Sequence, residues 1–253
     1  MKLTGNTILI TGGGSGIGRG LAEAFHAFGN KVIIAGRRQN VLDKTTAANP
    51  GMASAVLDIE DPALIRAFAA RVTSQYPTLN ALINNVGILK TENLKSQEKD
   101  SGDAEAMVTT NLLGPIRLTA ALLPHLQKQP RAAILNVSSG LGFVPLPFAP
   151  TYSATKAALH SYTQSLRVQL RDTPVQVVEI IPPYVQTELG GSHQTNDPRA
   201  MPLETYIAET MQILKSQPEA PENCVERVKF LRFAEATGAF DKALQMLTEM
   251  SFE

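Results

Sequence analysis

Thr7-Ile-Leu-Ile-Thr-Gly-Gly-Gly-Ser-Gly-Ile-Gly18 is the stretch of sequence that decides the fold. Its apolar start, Thr7–Ile10, predicts a buried strand, and a helical pattern follows over Gly16–Phe28. A glycine turn between a strand and a helix N-terminus presents backbone N–H groups that bind an anion such as a pyrophosphate. The residues expected to form this site are Gly12, Ser15, Gly16, Ile17 and Gly18. The alternative is a tight turn whose glycines satisfy only backbone geometry.

Short apolar runs and longer helical patterns alternate along the rest of the chain. This alternation predicts right-handed βαβ units and an α/β fold with a Rossmann-type, doubly wound parallel sheet, as a single domain over residues 1–253. The expected strands are Thr7–Ile10, Lys31–Ala35, Ala53–Ile59, Ala81–Asn84, Ala133–Val137 and Val175–Ile181. The expected helices are Gly16–Phe28, Pro62–Ser74, Ala104–Gln127 and Ser153–Arg171.

The last quarter of the chain has a different pattern. Thr187–Pro202 is polar and contains two glycines, which favours a mobile loop able to act as a lid. Helical patterns follow over Leu203–Lys215, Glu222–Ala236 and Phe240–Met250. The sequence therefore predicts a helical C-terminal segment over about 203–253.

Composition excludes several classes of function. Lys plus Arg equals Asp plus Glu at 23 each, so no basic excess points to nucleic acid or an anionic membrane as a partner. One Cys excludes a disulfide framework and a cysteine-based zinc cage, and no His pair has metal-ligand spacing, so no metal is expected. No signal peptide is evident, and no apolar run approaches the roughly 18 residues of a membrane span. We expect a cytoplasmic protein.

Two arginines follow the second expected strand, at Gly36-Arg37-Arg38. In a dinucleotide site, an acidic residue at this turn binds the ribose hydroxyls of NAD, whereas Arg accommodates the 2′-phosphate of NADP. Arg37 and Arg38 therefore favour NADP(H) over NAD(H) as cofactor. The alternative is a solvated basic turn.

Tyr152 and Lys156 are spaced so that both side chains lie on one face of a helix. A nearby ammonium favours the phenolate and lowers the pKa of a tyrosine, which makes the phenol usable as a general acid or base. Ser139 ends a strand-like run thirteen residues earlier and offers a hydrogen-bond donor for a substrate oxygen. The Tyr and Lys pair alone is weak evidence, since such pairs are common on helix surfaces.

Together these motifs resemble the short-chain dehydrogenase/reductase family over about residues 3–189. TGGGSGIG (11–18), NNVG (84–87), NVSS (136–139) and YSATK (152–156) are similar to the family's motifs, and the family's spacing selects Ser139 over Ser138. The resemblance implies that Tyr152 protonates the carbonyl oxygen, that Ser139 orients it, and that Lys156 lowers the pKa of the tyrosine and binds the nicotinamide ribose. It also implies that Asn111 holds a water in a proton relay.

The resemblance implies further cofactor contacts. Asp58 and Ile59 would contact the adenine, and Asn85 and Gly87 lie in the NNVG motif. Pro182, Val185 and Thr187 would contact the carboxamide and phosphates. Tyr152 and Lys156 would contact the cofactor as well.

The C-terminal segment departs from the family pattern. Many relatives end with a strand that builds a tetramer interface, and the helical pattern here puts such a tetramer in doubt. A homodimer through the long helices near 104–127 and 152–171 is expected instead. The tail and the Ile181-Pro182-Pro183 step are similar to a bacterial, DltE-like subgroup.

The sequence thus predicts an NADP(H)-dependent oxidoreductase that interconverts a small, partly apolar carbonyl and its secondary alcohol. The apolar segment LGFVPLPFAP (141–150) would border the substrate. The alternative is a non-catalytic NADP-binding sensor or scaffold, which has no need for Ser139, Tyr152 and Lys156 at catalytic spacing. A methyltransferase is disfavoured because the turn after the second strand lacks a ribose-binding carboxylate.

Overall fold

The computed structural model describes residues 1–95 and 102–250, which form one domain around a seven-stranded sheet. The strands are β1 Thr7–Thr11, β2 Lys31–Gly36, β3 Ala53–Val56, β4 Leu79–Asn84, β5 Ala132–Val137, β6 Val175–Ile181 and β7 Glu222–Cys224. Their order is β3-β2-β1-β4-β5-β6-β7, and every neighbouring pair is parallel. The doubly wound parallel sheet predicted from the sequence is confirmed.

Helices cover both faces of this sheet. They are α1 Gly16–Ala27, α2 Gln39–Ala48, α3 Pro62–Gln75, α4 Gly102–Val108, α5 Gly114–Leu126, α6 Pro150–Gln169, α7 Leu203–Ser216, α8 Lys229–Arg232 and α9 Phe240–Thr248. One core lies between the sheet and α1, α2 and α7, around Phe25 and Tyr206. The other lies between the sheet and α3, α5 and α6, around Phe68 and Leu122. Because both faces are covered, the strands are apolar at consecutive positions.

The helix expected over 104–127 is observed as one continuous helical segment, Gly102–Leu126, with a change of helix type in the middle. A wider π-type turn, Thr109–Leu113, joins α4 to α5. This 25-residue segment, Gly102–Leu126, contains a window of 18 residues that is apolar enough to cross a membrane, so the expectation of no such stretch was wrong. Core helices of soluble proteins pass the same test, and Leu118, Leu122 and Leu126 pack against the sheet.

The sequence-based assignment of Glu222–Ala236 as helical was wrong over most of its length. Residues Glu222–Cys224 form β7 beside β6, with Glu179 opposite Glu222, and only Lys229–Arg232 is α-helical. The buried amide of Asn223 donates to the Thr210 carbonyl, 2.9 Å away, which fixes the strand against α7. A strand of three residues is too short to show an alternating pattern. The edge strand exists, so its supposed absence no longer argues against a tetramer.

Two smaller differences between the expected and the observed elements lie in the first half of the chain. The expected strand Ala53–Ile59 ends at Val56, because its partner β2 ends at Gly36, the residue opposite Val56. The helix α2 was not predicted. Its Leu42 and Thr45 are the only buried residues that it contributes, and two such positions give a weak helical period.

A buried polar ladder ties α5 and α6 to the centre of the sheet and yields a stability prediction. Asn136 accepts a hydrogen bond from Asn84 at 2.9 Å and donates to Thr163 at 2.9 Å. We expect Asn136→Ala to lower the free energy of unfolding by about 2–4 kcal/mol, because Asn84 and Thr163 each lose one of their two buried hydrogen bonds. Urea denaturation measures the change. The control Ile134→Val removes one methylene from the same strand face and should cost about 1 kcal/mol; equal losses would contradict the role of the ladder.

Candidate active site

The glycine turn lies at the carboxyl end of β1, where the strand order reverses and α1 begins. Gly12 and Gly16 have φ angles of +67° and +51°, which favour glycine. A Cβ on Gly18 would lie 2.3 Å from the Gly12 carbonyl oxygen, so the helix can pack this closely only because Gly18 has no side chain. The side-chain amide of Asn85 donates to the Thr11 carbonyl at 3.0 Å and ties the end of β4 to the turn.

A cavity of about 860 Å³ runs from this turn to Tyr152 along the carboxyl ends of the strands. Most residues that the sequence assigned to cofactor binding line it. They are Gly12, Ser15, Gly16, Ile17, Arg37, Arg38, Ile59, Asn85, Gly87, Tyr152, Lys156, Pro182 and Thr187. The structure therefore brings together residues that are up to 175 positions apart in the chain, from Gly12 to Thr187.

Three of the assigned residues do not line this cavity. Gly18 lies behind the turn and supports its close packing. Asp58 is half-buried, and its Oδ1 accepts a hydrogen bond from the Glu60 backbone N–H at 3.0 Å. Val185 lines a second, neighbouring cavity. Direct cofactor contacts by these three residues remain predictions.

Arg37 has a partner that the sequence did not reveal. Its Nη1 lies 2.9 Å from Oε1 of Glu60, and the same oxygen accepts a hydrogen bond from the Thr110 hydroxyl at 2.8 Å. The two charged side chains are 53% and 33% exposed, so their ion pair contributes little to stability. No carboxylate stands in the β2 turn itself, but the fold brings Glu60 to it from beyond β3. Arg38 is exposed and lines the cavity beside it.

Tyr152 and Lys156 line the larger cavity, and Ser139 adjoins Tyr152 from the smaller, neighbouring one. Ser139 follows β5, and its side chain lies beside the Tyr152 hydroxyl, where it lowers the pKa of the phenol. Burial raises the pKa of Tyr152 to about 12, and the Ser139 side chain only partly opposes this. The expected lowering of this pKa is thus not what the structure has, because desolvation of the phenolate outweighs the favourable contacts. Ser138, the alternative, lines the larger cavity instead.

Lys156 is almost fully buried on α6, one turn after Tyr152. Its Nζ donates to the Val137 carbonyl at 2.9 Å and lies 5.6 Å from the centre of the Tyr152 ring. Burial lowers the pKa of Lys156 to about 8, while the charge of Glu179 acts in the opposite direction. The ammonium is therefore held where water cannot stabilise it.

Asn111 lies in the wider helical turn between α4 and α5. Its Oδ1 accepts from the Ile88 N–H at 2.8 Å, and its Nδ2 donates to the Ile88 carbonyl at 2.9 Å. A Cβ on Gly87 would lie 3.4 Å from Asn111 Oδ1 and 3.7 Å from Lys156 Nζ, so both side chains approach the same glycine. Such π-type turns are frequent at functional sites.

A second cavity of about 120 Å³ adjoins Ser139 and Tyr152. The apolar segment 141–150 contributes Leu141, Leu146 and Phe148 to its walls, as the sequence suggested. The C-terminal segment contributes Leu231, Leu247 and Met250, which the sequence analysis did not assign to a site. Their helical spacing identified a buried face, but nothing in the pattern shows which part of the chain that face covers.

The segment 187–202 covers both cavities. Thr187–Gly191 lines the larger one, and His193 and Gln194 line the smaller one. Gln194 donates to the Val185 carbonyl at 2.7 Å, and Asp197 accepts hydrogen bonds from Arg199 and from the Tyr184 hydroxyl. The Arg199 guanidinium holds the pKa of Asp197 well below its usual range. The segment thus has fixed anchors and a glycine-containing part over the cavities.

One cluster of potential metal ligands was not visible from sequence spacing. His160, Glu179 and Glu222 bring possible ligand atoms within 4.8 Å of one another. Arg232 already pairs with both oxygens of Glu222, at 2.7 and 2.8 Å. The guanidinium of Arg232 therefore already supplies a positive charge to this cluster.

Comparison with known proteins places this geometry in a family. A family model described as short chain dehydrogenase matches residues 6–198. The chain is 40% identical over 237 residues to the uncharacterized oxidoreductase DltE of Bacillus subtilis (strain 168), which covers 92% of this chain and 93% of that protein.

Two solved structures show the same fold over most of their length. One is a short chain dehydrogenase from Burkholderia cenocepacia J2315 in complex with NADP, with a TM-score of 0.81, 25% identity, and coverage of 99% of this chain and 100% of that one. The other is the 3-ketoacyl-(acyl-carrier-protein) reductase from Brucella melitensis complexed with NADH, with a TM-score of 0.76, 28% identity, and coverage of 86% and 93%. By sequence and by structure, this chain belongs to the short-chain dehydrogenase/reductase family of oxidoreductases and is DltE-like.

Proposed function

We propose that the protein is an NADP(H)-dependent oxidoreductase that interconverts a small, uncharged, apolar carbonyl and its secondary alcohol. The observation that carries this proposal is the placement of Ser139 and Tyr152 where the two cavities adjoin, because Tyr152 lines both cavities and Ser139 lines the smaller one. A dinucleotide in the larger cavity and a carbonyl in the smaller one would meet at this pair. A binding protein without catalysis gains nothing from that arrangement.

The chain's residues fit a dinucleotide. The glycine turn has no Cβ where a pyrophosphate would approach, and α1 directs its N-terminus there. Arg37 and Arg38 lie in the same cavity and offer guanidinium groups to a 2′-phosphate. The NADP-bound Burkholderia structure supports this choice, while the NADH-bound Brucella reductase shows that the fold also accommodates the other cofactor. When bound, the nicotinamide supplies or accepts the hydride.

The side chains have separate tasks in the acid/base chemistry. Tyr152, which is protonated at neutral pH, donates a proton to the carbonyl oxygen during reduction. Ser139 orients that oxygen through its hydroxyl. Lys156 binds the nicotinamide ribose and stabilises negative charge that develops on Tyr152. Asn111 positions a water through which the proton on Tyr152 is replaced.

The smaller cavity determines the substrate class. Among the described residues that line it there is no Asp, Glu, Lys or Arg. A charged substrate would lose its hydration without gaining a partner, so the walls favour an uncharged, apolar molecule. The size of about 120 Å³ suits a short chain or a small ring.

We also propose that the protein is cytoplasmic and acts as a homodimer, with no nucleic-acid or membrane partner. The equal numbers of acidic and basic residues support the absence of those partners. Two apolar side chains, Val108 on α4 and Val168 on α6, are 36% and 63% exposed. These helices are the ones through which the sequence predicts the dimer, and pairing would cover both side chains.

The acid/base role predicts that Tyr152→Phe lowers the rate of carbonyl reduction by about 10²–10⁴-fold, because the proton donor is lost. NADPH binding, measured by calorimetry, should stay within about threefold of the wild type. Turnover is followed by NADPH absorbance with a panel of small ketones. A Phe variant with most of its activity would rule out the acid/base role, and lost NADPH binding would indicate a structural defect instead.

The cofactor assignment predicts that Arg37→Ala weakens NADPH binding by roughly tenfold and leaves NADH binding nearly unchanged, since the charge-assisted bond to the 2′-phosphate is lost. Arg71→Ala, an exposed arginine on α3, is the matched control and should change neither affinity. Calorimetric titration with each cofactor measures the four values. Equal losses for the two cofactors in the Arg37 variant would contradict the phosphate contact.

The pocket assignment predicts that Leu247→Ala shifts substrate preference toward bulkier ketones, because it removes a buried wall of the smaller cavity. We expect the ratio of kcat/KM for a bulky over a small ketone to rise by about tenfold, which corresponds to one or two methylenes of pocket space. The control Met246→Ala alters the exposed neighbour. An unchanged ratio in a folded Leu247 variant would place the substrate elsewhere.

A further inference from the structure

A chain of charged side chains extends from the edge of the sheet to the buried Lys156. Arg232 on α8 pairs with Glu222 on β7, whose carboxylate lies within 4.8 Å of His160 on α6 and of Glu179 on β6. His160 donates from Nδ1 to Oε2 of Glu179 at 2.7 Å. Lys156 lies one turn before His160 on the same helix.

Among these charged side chains, that of Glu179 is the least expected at its position. Its side chain has no solvent exposure, and its Oε1 is buried with no hydrogen-bond partner among the residues that the structure describes. A buried carboxylate is costly unless an opposite charge lies nearby. The position also has no packing explanation, since the neighbouring strand positions on this face, including Val177, are apolar.

Lys156 is placed to be that opposite charge. Its Nζ bonds the carbonyl of Val137, and Val137 pairs with Ile180, the residue after Glu179. His160, which bonds Glu179, lies one turn after Lys156 on α6, so the carboxylate and the Lys156 side chain lie along the same helix on the same side of the sheet. The electrostatic contribution of Glu179 to the lysine, which raises the pKa of Lys156 against burial, agrees with this geometry.

The other charged and titratable groups around Glu179 are already engaged. Arg232 bonds both oxygens of Glu222, and Arg167 on α6 donates to the carbonyls of Val177 and Pro221. Cys224 on β7 lies 3.9 Å from Glu222 Oε2, and burial raises the pKa of its thiol to about 12, so it stays neutral.

We propose that Glu179 is a positioning residue for the reaction: a buried counter-charge, held in place by His160, that keeps Lys156 in its ammonium form. Its consequence for catalysis rests on the proposed function, in which the ammonium supports Tyr152. The charge relation between Glu179 and Lys156 does not depend on any substrate.

The direction of the effect follows from the charges. Burial lowers the pKa of Lys156 to about 8, and the carboxylate opposes that lowering. Removing the charge with Glu179→Gln, which keeps the shape and an acceptor for His160, lowers the pKa of Lys156 further. The ammonium is then lost at a lower pH.

The test is a carbon-13 NMR titration of ε-labelled lysine in the cofactor-free protein. The Lys156 resonance is assigned by its absence from Lys156→Arg. We expect it to titrate near pH 8 in the wild type and about one pH unit lower in Glu179→Gln. Glu179→Asp keeps the negative charge but holds it farther from Lys156, because the side chain is one methylene shorter. It should give a smaller shift in the same direction. Glu204→Gln removes an exposed charge on α7 and should leave the titration unchanged.

The second readout is the pH profile of NADPH-dependent carbonyl reduction. Its alkaline limb should move to lower pH by a similar amount in Glu179→Gln, while Glu204→Gln follows the wild type. An unshifted Lys156 titration in the folded Gln variant, or in the Asp variant where the Gln variant does not fold, would overturn the proposal. Should the wild type reduce no carbonyl, the proposed function fails, and the lysine titration still decides this inference.

Discussion

The parallel pairing of β1 with both β2 and β4 is the constraint on which the rest of the structure depends. It makes β1 the strand at which the order of the sheet reverses, and it places the carboxyl ends of all seven strands at one edge. The helices on either side of the reversal then diverge and leave a crevice at that edge. The glycine turn, the Arg37 turn and Ser139 all lie there because each follows the end of a strand. Proximity of residues far apart in sequence is a consequence of topology.

Burial at the inner end of the crevice works against the charges that the chemistry uses. It raises the pKa of Tyr152 and lowers that of Lys156, so both groups are driven toward their neutral forms. A neutral phenol suits a proton donor, but a neutral amine would not stabilise a phenolate. The fold therefore has to supply negative charge near the lysine and hydrogen bonds near the tyrosine. Ser139 interacts with the tyrosine, and Glu179 is the carboxylate that we propose as the negative charge near the lysine.

The sequence predicted those parts of the structure that depend on local pattern. Six of the seven strands, the turn after β1 and the cavity that unites most of the assigned residues follow from apolar runs and motif spacing. What it could not show depends on contacts distant in the chain. β7 exists because β6 offers an unpaired edge, Glu60 reaches Arg37 through the turn after β3, and Leu247 reaches the smaller cavity through the path of the C-terminal segment. The periodicity of apolar residues shows that one face of a helix or strand is buried, but it does not show which part of the chain covers that face.

The Arg37 and Glu60 pair shows how such a distant contact bears on cofactor choice. In a turn with an acidic residue, the carboxylate faces the ribose hydroxyls; here the carboxylate faces Arg37 from another segment. Because the pair is exposed and weak, a phosphate with more charge and three acceptor oxygens competes well for the guanidinium. A ribose hydroxyl, which is neutral, competes poorly with the carboxylate of Glu60, whose Oε1 already accepts from Arg37 and from Thr110. The pair thus agrees with the proposed preference for NADP(H), because a 2′-phosphate gains more from the Arg37 guanidinium than a ribose hydroxyl does.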